Sequence, residues 1–359
     1  MSKAPHAPHA GHVHAEILAQ GRTLQQTARQ LADLALPDWF ERGCTPVFAG
    51  CGTSYYLAQT ASAVARALSG RRASAVPAGD AWLYPEIHLT AETRPVLVAI
   101  SRSGTTTETV LATGAAREVG IPSLGLSVDG GDLAAAVDDA ILLAHAHERS
   151  VVMTQSYSNL LLVLHWVAAA WAGEAGREHL EMLASVARAV DGLLAGFDDR
   201  AAEVAAAGYD HFVFLGSGPM AGVAFESMLK MKEMTQIPVE AYQSLEFRHG
   251  PISTVRPGTL AVILSTARNL EHDLAVAADV RRLGGAPLVV APGPPRLAAG
   301  EWVALPEGFD NLFTGSLAVP FTQLLAFHQT LAVGLDPDAP RHLSQVVVLP
   351  SQDPVRRAG

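Results

Sequence analysis

The chain has 359 residues, 49% of them apolar and 17% charged, with a formal net charge of −10. That balance excludes a nucleic-acid backbone or an anionic membrane surface as the main partner, and the length predicts two domains rather than one. No run of about 18 uninterrupted apolar residues occurs, so no spanning helix is predicted, and no signal peptide is expected at the N-terminus.

Four histidines crowd the first residues, His6, His9, His12 and His14, among Ala, Pro and Gly. Those neighbours provide no rigid frame, so the segment is expected to be a frayed tail without a metal site. Cys44 and Cys51 flank a predicted strand at 46–49 and lie too far apart along an extended segment to pair. A reduced, cytoplasmic protein is the expectation.

The strand leads into Gly50-Cys51-Gly52-Thr53-Ser54, whose glycines permit close backbone approach and whose hydroxyls can bind an anion. A plain strand-to-helix turn explains the same string. A helix is predicted over 54–68. Farther on, an apolar strand at 96–100 delivers Ser101-Arg102-Ser103-Gly104-Thr105-Thr106-Thr107 to a helix predicted over 107–119. A helix start carries unpaired N–H donors and a partial positive charge. Five hydroxyls in seven residues add donors that rotate to suit phosphate oxygens. A helix cap alone uses one or two of them.

The chain also repeats itself weakly. Gly50, Ser101 and Pro122 sit in contexts that recur at Gly216, Ser265 and Pro287, offsets of 166, 164 and 165 residues. Each half alternates apolar strands with helical stretches, as in a parallel sheet covered on both faces. A helical linkage is predicted from about Gly173 and Gly176 to Asp191 and Asp199. The counterpart of the hydroxyl cluster, Ser265-Thr266-Ala267-Arg268-Asn269, has fewer donors, so one working phosphate site is expected, in the first half.

Gly216-Ser217-Gly218-Pro219-Met220-Ala221 satisfies a dinucleotide fingerprint in its Ala variant. One long helix, predicted over 221–235, follows, and no acidic residue ends a second strand at the required distance. No nicotinamide or flavin is therefore expected. That helix places Glu226, Lys230 and Glu233 on one face at spacings of four and three. Such a stripe is ordinarily solvated, but Met228, Leu229, Met231 and Met234 around it suggest partial burial. Glu240-Ala241-Tyr242 and Glu246-Phe247-Arg248-His249-Gly250-Pro251 follow in a predicted loop, where His249 is a candidate proton carrier. A phosphate anchor, a carboxylate and a histidine together suit ring opening of a sugar and proton transfer between adjacent carbons.

These residues resemble the tandem sugar-isomerase (SIS) domain family, in particular the isomerase half of glucosamine-6-phosphate synthase and stand-alone hexosamine-6-phosphate deaminase/isomerases. The motifs are Cys51-Gly52-Thr53-Ser54, Ser101-Arg102-Ser103-Gly104 with Thr106, residues 226–233, Glu240-Ala241-Tyr242, residues 246–251, and Asp336-Pro337-Asp338-Ala339-Pro340-Arg341-His342-Leu343. They cover the chain from about Ala15 onward. The resemblance implies an α/β fold with two tandem SIS domains, each a doubly wound parallel sheet flanked by helices. Expected boundaries are an N-terminal tail and helix at 1–34, a first domain with the phosphate site at 35–175, and a linker helix at 176–203. A second domain with the catalytic groups at 204–335 and a tail at 336–359 complete the chain.

The resemblance further implies that Thr53, Ser101, Arg102, Ser103 and Thr106 hold a sugar 6-phosphate. It adds Cys51, Gly52, Ser54, Thr154, Glu246, Arg248 and Gln345 to the substrate-binding set. Glu233 matches the family's proton-shuttling base, Lys230 a lysine near the sugar, and His249 the ring-opening histidine that reaches a neighbouring subunit's site. A homodimer without metal or other cofactor follows. Two departures stand out. Met1 is followed by Ser2 rather than the glutaminase cysteine, so ammonia from glutamine is not expected. Gln345 takes the place of an imine-forming lysine, and an amide cannot form that imine. The implied activity is conversion of an amino sugar 6-phosphate to a ketose 6-phosphate and ammonia. A plain aldose–ketose isomerase, a fructosamine-6-phosphate deglycase and a non-catalytic sugar-phosphate sensor are the alternatives.

Overall fold

A computed structural model describes residues 11–41, 43–90, 93–347 and 349. The elements in the first half are α1 (His12–Leu18), α2 (Gln20–Ala32), β1 (Thr45–Gly50), α3 (Thr53–Ser69), β2 (Ser74–Pro77), α4 (Ala78–Leu83), α5 (Pro85–His88), β3 (Pro95–Ile100), α6 (Thr107–Glu118), β4 (Ser123–Ser127), α7 (Gly131–Ala136), β5 (Asp139–Leu142) and α8 (Gln155–Ala172). A long helix, α9 (Arg177–Ala205), leads to β6 (His211–Gly216), α10 (Met220–Thr235), β7 (Val239–Tyr242), β8 (Thr259–Leu264), α11 (Leu270–Arg282), β9 (Ala286–Pro292), β10 (Trp302–Leu305) and α12 (Thr314–Ala332).

The strands form two parallel five-stranded sheets, ordered β2-β1-β3-β4-β5 and β7-β6-β8-β9-β10. The same order, second-first-third-fourth-fifth, therefore appears twice. Such sheets are covered on both faces, and side chains alternate between the two. Phe48, Val96, Val98, Phe212 and Phe214 turn into one continuous core that joins the halves. Val47, Leu97 and Ala99 pack outward in the first half, as do Val213, Leu215 and Ile263 in the second.

The first strand of each half ends in glycine for the same steric reason. A Cβ on Gly50 would fall 2.6 Å from the Cβ of Ser54, and one on Gly216 would fall 2.3 Å from the carbonyl oxygen of Met220. In both halves the first turn of the following helix sits directly on the strand end. This aims two helix starts at the carboxyl edge of the sheets, where open parallel sheets bind ligands.

Two sequence expectations change. The N-terminal histidines are not all in a frayed tail: His12 and His14 belong to α1, while His6 and His9 lie outside the described residues. Val13 and Ile17 are fully buried, and Asp338 accepts hydrogen bonds of 2.9 Å from the His12 and Val13 N–H groups, capping α1 from the far end of the chain. Glu240-Ala241-Tyr242 is not loop but the edge strand β7, paired with β6. Both thiols are free: Cys44 is buried and Cys51 partly so. Among the described residues no helix is long and apolar enough to cross a membrane.

The halves meet where α10 crosses α3. A Cβ on Gly222 would fall 2.4 Å from Thr60 Oγ1 and 2.5 Å from the Tyr56 carbonyl oxygen. The Thr60 hydroxyl donates to the Pro219 carbonyl at 3.1 Å, and Tyr56 stacks on Phe225 with ring centres 5.6 Å apart. Because the obstructing atoms include backbone, Gly222→Ala has to push the helices apart. It is expected to cost about 1–3 kcal/mol of overpacking, outweighing the roughly 1 kcal/mol gained in helix propensity, read as a lower urea midpoint than wild type.

Candidate active site

A cavity of about 290 Å³ opens at this crossing, at the lower end of ligand-pocket sizes. The first half lines it with Cys51, Gly52, Thr53 and Ser54, with Arg102, Ser103, Thr106 and Glu108, and with Val151 and Met153. The second half contributes Leu229, Lys230 and Glu233, and Ser344, Gln345, Val346 and Val347 close one side. A larger cleft of about 790 Å³ lies between Arg66, Arg72, His88 and Pro219, and among the described residues no carboxylate lines it. Glu108, Lys230 and Glu233 gather instead at the smaller cavity.

Two helix starts border the cavity. The residue before α3, Gly52, has φ +52°, and neither α3 nor α6 is capped by a side chain. The Ser54 N–H turns back to the Cys51 carbonyl at 3.0 Å, which leaves the Thr53, Thr107 and Glu108 N–H groups for solvent or an anion. The hydroxyl loop is held from within. Ser101 Oγ accepts the Gly104 N–H at 3.1 Å and bonds Thr106 Oγ1 at 3.1 Å, and Ser103 Oγ accepts from the N–H and hydroxyl of Thr105. Gly104, at φ +69°, touches the neighbouring turn so closely that a Cβ would lie 1.8 Å from the Gly130 carbonyl oxygen. Ser101 thus shapes the loop from beneath, whereas Ser103 and Thr106 reach the cavity.

Arg102 is 8% exposed and lines the cavity. Its guanidinium donates to the carbonyls of Ser150 (3.4 Å), Val151 (3.1 Å) and Gln345 (2.8 Å), and stands 3.5 Å from Glu148. The Gln345 amide donates in turn to the carbonyls of Arg149 (2.9 Å) and Ser150 (3.1 Å). Arg102 and Gln345 therefore tie the late segment to the 149–151 loop across the cavity wall. Thr154 does not line the cavity: its N–H and hydroxyl donate to buried Glu148 at 2.7 and 2.8 Å. Glu16 on α1 holds the same loop, accepting from the Arg149 N–H at 2.6 Å and from the Ser150 hydroxyl.

The Glu226–Lys230–Glu233 stripe is largely buried rather than solvated. Glu226 and Lys230 are 0% and 1% exposed, and the Glu233 side chain, at 19%, faces the cavity. Lys230 Nζ donates to Glu233 and lies 3.6 Å from Glu226. Burial pushes the Glu226 carboxyl up to about 8, partly countered by Lys230 and reinforced by Glu233. Burial alone lowers Lys230, but its two carboxylate neighbours outweigh that and hold the ammonium protonated. With the proton on Glu226, the trio balances one ammonium against one carboxylate.

Glu246, Arg248 and His249 are exposed and line no part of this cavity. Arg248 pairs instead with Asp279 at 2.7 Å. In the second half the counterpart loop is bound to itself. Thr266 Oγ1 donates to Asn269, and Asn269 donates to Asp273. Glu108 is a cavity residue that the sequence analysis did not single out. One of its oxygens is buried without a partner, and its signal was an acid in the first turn after the hydroxyl cluster.

Native Glu226 keeps its proton to about pH 8, whereas the unfolded chain releases it near 4.5. Folding stability should therefore decline as pH rises from about 4.5 to about 8. Glu226→Gln, which carries no titrating proton, is expected to flatten that slope in urea titrations across the same range. An unchanged slope would show that the burial of Glu226 does not govern it.

The SIS domain profile matches residues 207–296. A glutamine–fructose-6-phosphate aminotransferase from Aeropyrum pernix is 30% identical over 318 residues, covering 84% of this chain and 50% of that protein. The chain thus spans about half the length of such relatives. Among solved structures, a glucosamine-6-phosphate deaminase from Thermotoga maritima matches 94% of this chain and all of that one, with a TM-score of 0.78 and 28% identity. A tagatose-6-phosphate ketose/aldose isomerase from Escherichia coli matches 98% of this chain and all of that one, with a TM-score of 0.81 and 26% identity. Residues 207–296 are thus a SIS domain, and the first half repeats the same five-stranded sheet order, with likeness to these relatives running through both halves.

Proposed function

We propose that the chain is a hexosamine-6-phosphate deaminase/isomerase, taking an amino sugar 6-phosphate to a ketose 6-phosphate and ammonia. One observation carries the reading: Glu233 and Lys230 face the same cavity as the uncapped start of α6 and the hydroxyls of Thr53, Ser103 and Thr106. The two helix starts and these hydroxyls bind the phosphate, Ser101 supports the loop, and Cys51, Gly52 and Ser54 form the adjoining wall. This anchor suits a chain of net charge −10, because main-chain N–H groups attract phosphate without lysines.

Glu233 then removes the proton from the second carbon of the open-chain sugar and returns it to the first. Lys230, held as an ammonium, offsets charge that develops on the sugar oxygen. The resulting ketose imine takes up water, and ammonia leaves. Gln345 favours hydrolysis over capture of a ketose: its amide cannot form an imine, and it is occupied with the Arg149 and Ser150 carbonyls. Ring opening falls to His249. Because His249 is exposed and away from its own chain's cavity, the reading includes a homodimer in which a second copy supplies it, together with Glu246 and Arg248.

Proton NMR in heavy water with glucosamine 6-phosphate, galactosamine 6-phosphate and fructose 6-phosphate tests this. Loss of the proton next to the carbonyl, with ammonium released from one amino sugar, is expected. Glu233→Gln should lower that rate by about 10²–10⁴-fold while phosphosugar binding persists. Exchange without ammonium points to the plain isomerase that the Escherichia coli likeness favours. Release of the free amine from an N-substituted fructosamine 6-phosphate points to the deglycase. Full activity of Glu233→Gln would sink the assignment, and binding without any exchange would leave a sensor.

A further inference from the structure

His14 on α1, Asp198 on α9 and His328 on α12 meet at one point, away from the cavity and its lining. His14 Nε2 lies 3.0 Å from both carboxylate oxygens of Asp198, and His328 Nε2 lies 2.6 Å from Oδ1. One donor atom from each residue fits within 4.8 Å of the other two. The three side chains are between 19% and 24% exposed, enough for an ion to enter while the frame stays packed. His14 is fixed from behind by stacking on Phe327, with ring centres 4.6 Å apart and planes 8° off parallel.

We propose that His14, Asp198 and His328 form a binding site for a divalent transition-metal ion of the zinc class. Two imidazole nitrogens and one carboxylate oxygen are the donors that zinc and its borderline neighbours take, whereas magnesium and calcium prefer all-oxygen sets. Donor atoms about 2.0–2.1 Å from a tetrahedral ion stand roughly 3.3 Å apart, so His14 Nε2, now 3.0 Å from Asp198, has to retreat by about 0.3 Å and His328 Nε2, now 2.6 Å away, by about 0.7 Å. A water fills the fourth position. The Nε2 protons now directed at Asp198 move to Nδ1 or leave to solvent as the metal binds.

The position gives the ion a structural role. It pins α1 to α9 and α12, and two residues along α1 Glu16 clamps the 149–150 backbone that Arg102 and Gln345 also hold. Three ligands on three helices restrain a short helix whose other anchors are the burial of Val13 and Ile17 and the Asp338 cap.

The test uses the full chain, freed of metal by chelation and titrated with Co²⁺ and then Zn²⁺. One Co²⁺ per chain, with visible d–d bands that Zn²⁺ abolishes, is expected. Zn²⁺ at about 100 times its dissociation constant should raise the thermal midpoint by several degrees. Asp198→Asn and His328→Gln should each weaken binding by about 100-fold or more, since even outer-shell changes cost 10–100-fold. Circular dichroism shows which of the two keeps the fold. A chain with His6, His9 and His12 all replaced by Ala keeps His14 and should bind as wild type does. No stoichiometric binding, no rise in midpoint, or binding lost in that triple variant while Asp198→Asn and His328→Gln retain it, overturns the site.

Discussion

The approach of α10 to α3 at Gly222 is the contact on which the rest of the site depends. At that crossing a side-chain methyl would collide with backbone, so the two halves come close enough to share one cavity. The Thr60 hydroxyl and the Tyr56–Phe225 stack hold the crossing on either side. Everything with chemical content is then a matter of which residues ride on the two helices. The start of α3 carries Thr53 and Ser54, and α10 carries Glu226, Lys230 and Glu233 at helical spacing. Neither half alone joins an anion anchor to an acid–base pair.

The electrostatics follow from burial at this seam. A lysine 1% exposed is costly unless carboxylates surround it, and two do. Two carboxylates against one ammonium leave one negative charge too many for an apolar setting, so Glu226 is the group driven to keep a proton. Glu233, on the outer end of the stripe, is the carboxylate open to the cavity. The division of labour between the two glutamates comes from depth along one helix face, not from residue type.

The wall opposite is assembled from distant segments by buried carboxylates. Glu16 and Glu148 take up N–H and hydroxyl donors around residues 149–156, and Arg102 and Gln345 tie that stretch to the late segment. Arg102, which also lines the cavity, thus braces the loop against the tail.

Much of this was legible in order along the chain. Apolar runs mark β1, β3, β6 and β8, because parallel strands buried on both faces need continuous hydrophobic character. The Gly50 and Gly216 turns, the hydroxyl cluster before α6 and the Glu–Lys–Glu spacing are local patterns, and local backbone rules suffice to read them. What sequence could not settle is what depends on long-range packing. Glu240 to Tyr242 became an edge strand because β6 offered a partner. His12 and His14 entered a docked helix because Asp338, more than 300 residues away, caps it and Val13 and Ile17 are buried. The engagement of Arg102, the full burial of Glu226, and the distance of His249 from its own chain's cavity belong to that class. Spacing along a strand or helix fixes which face a residue takes. What meets that face is decided only when the two sheets close on a common core.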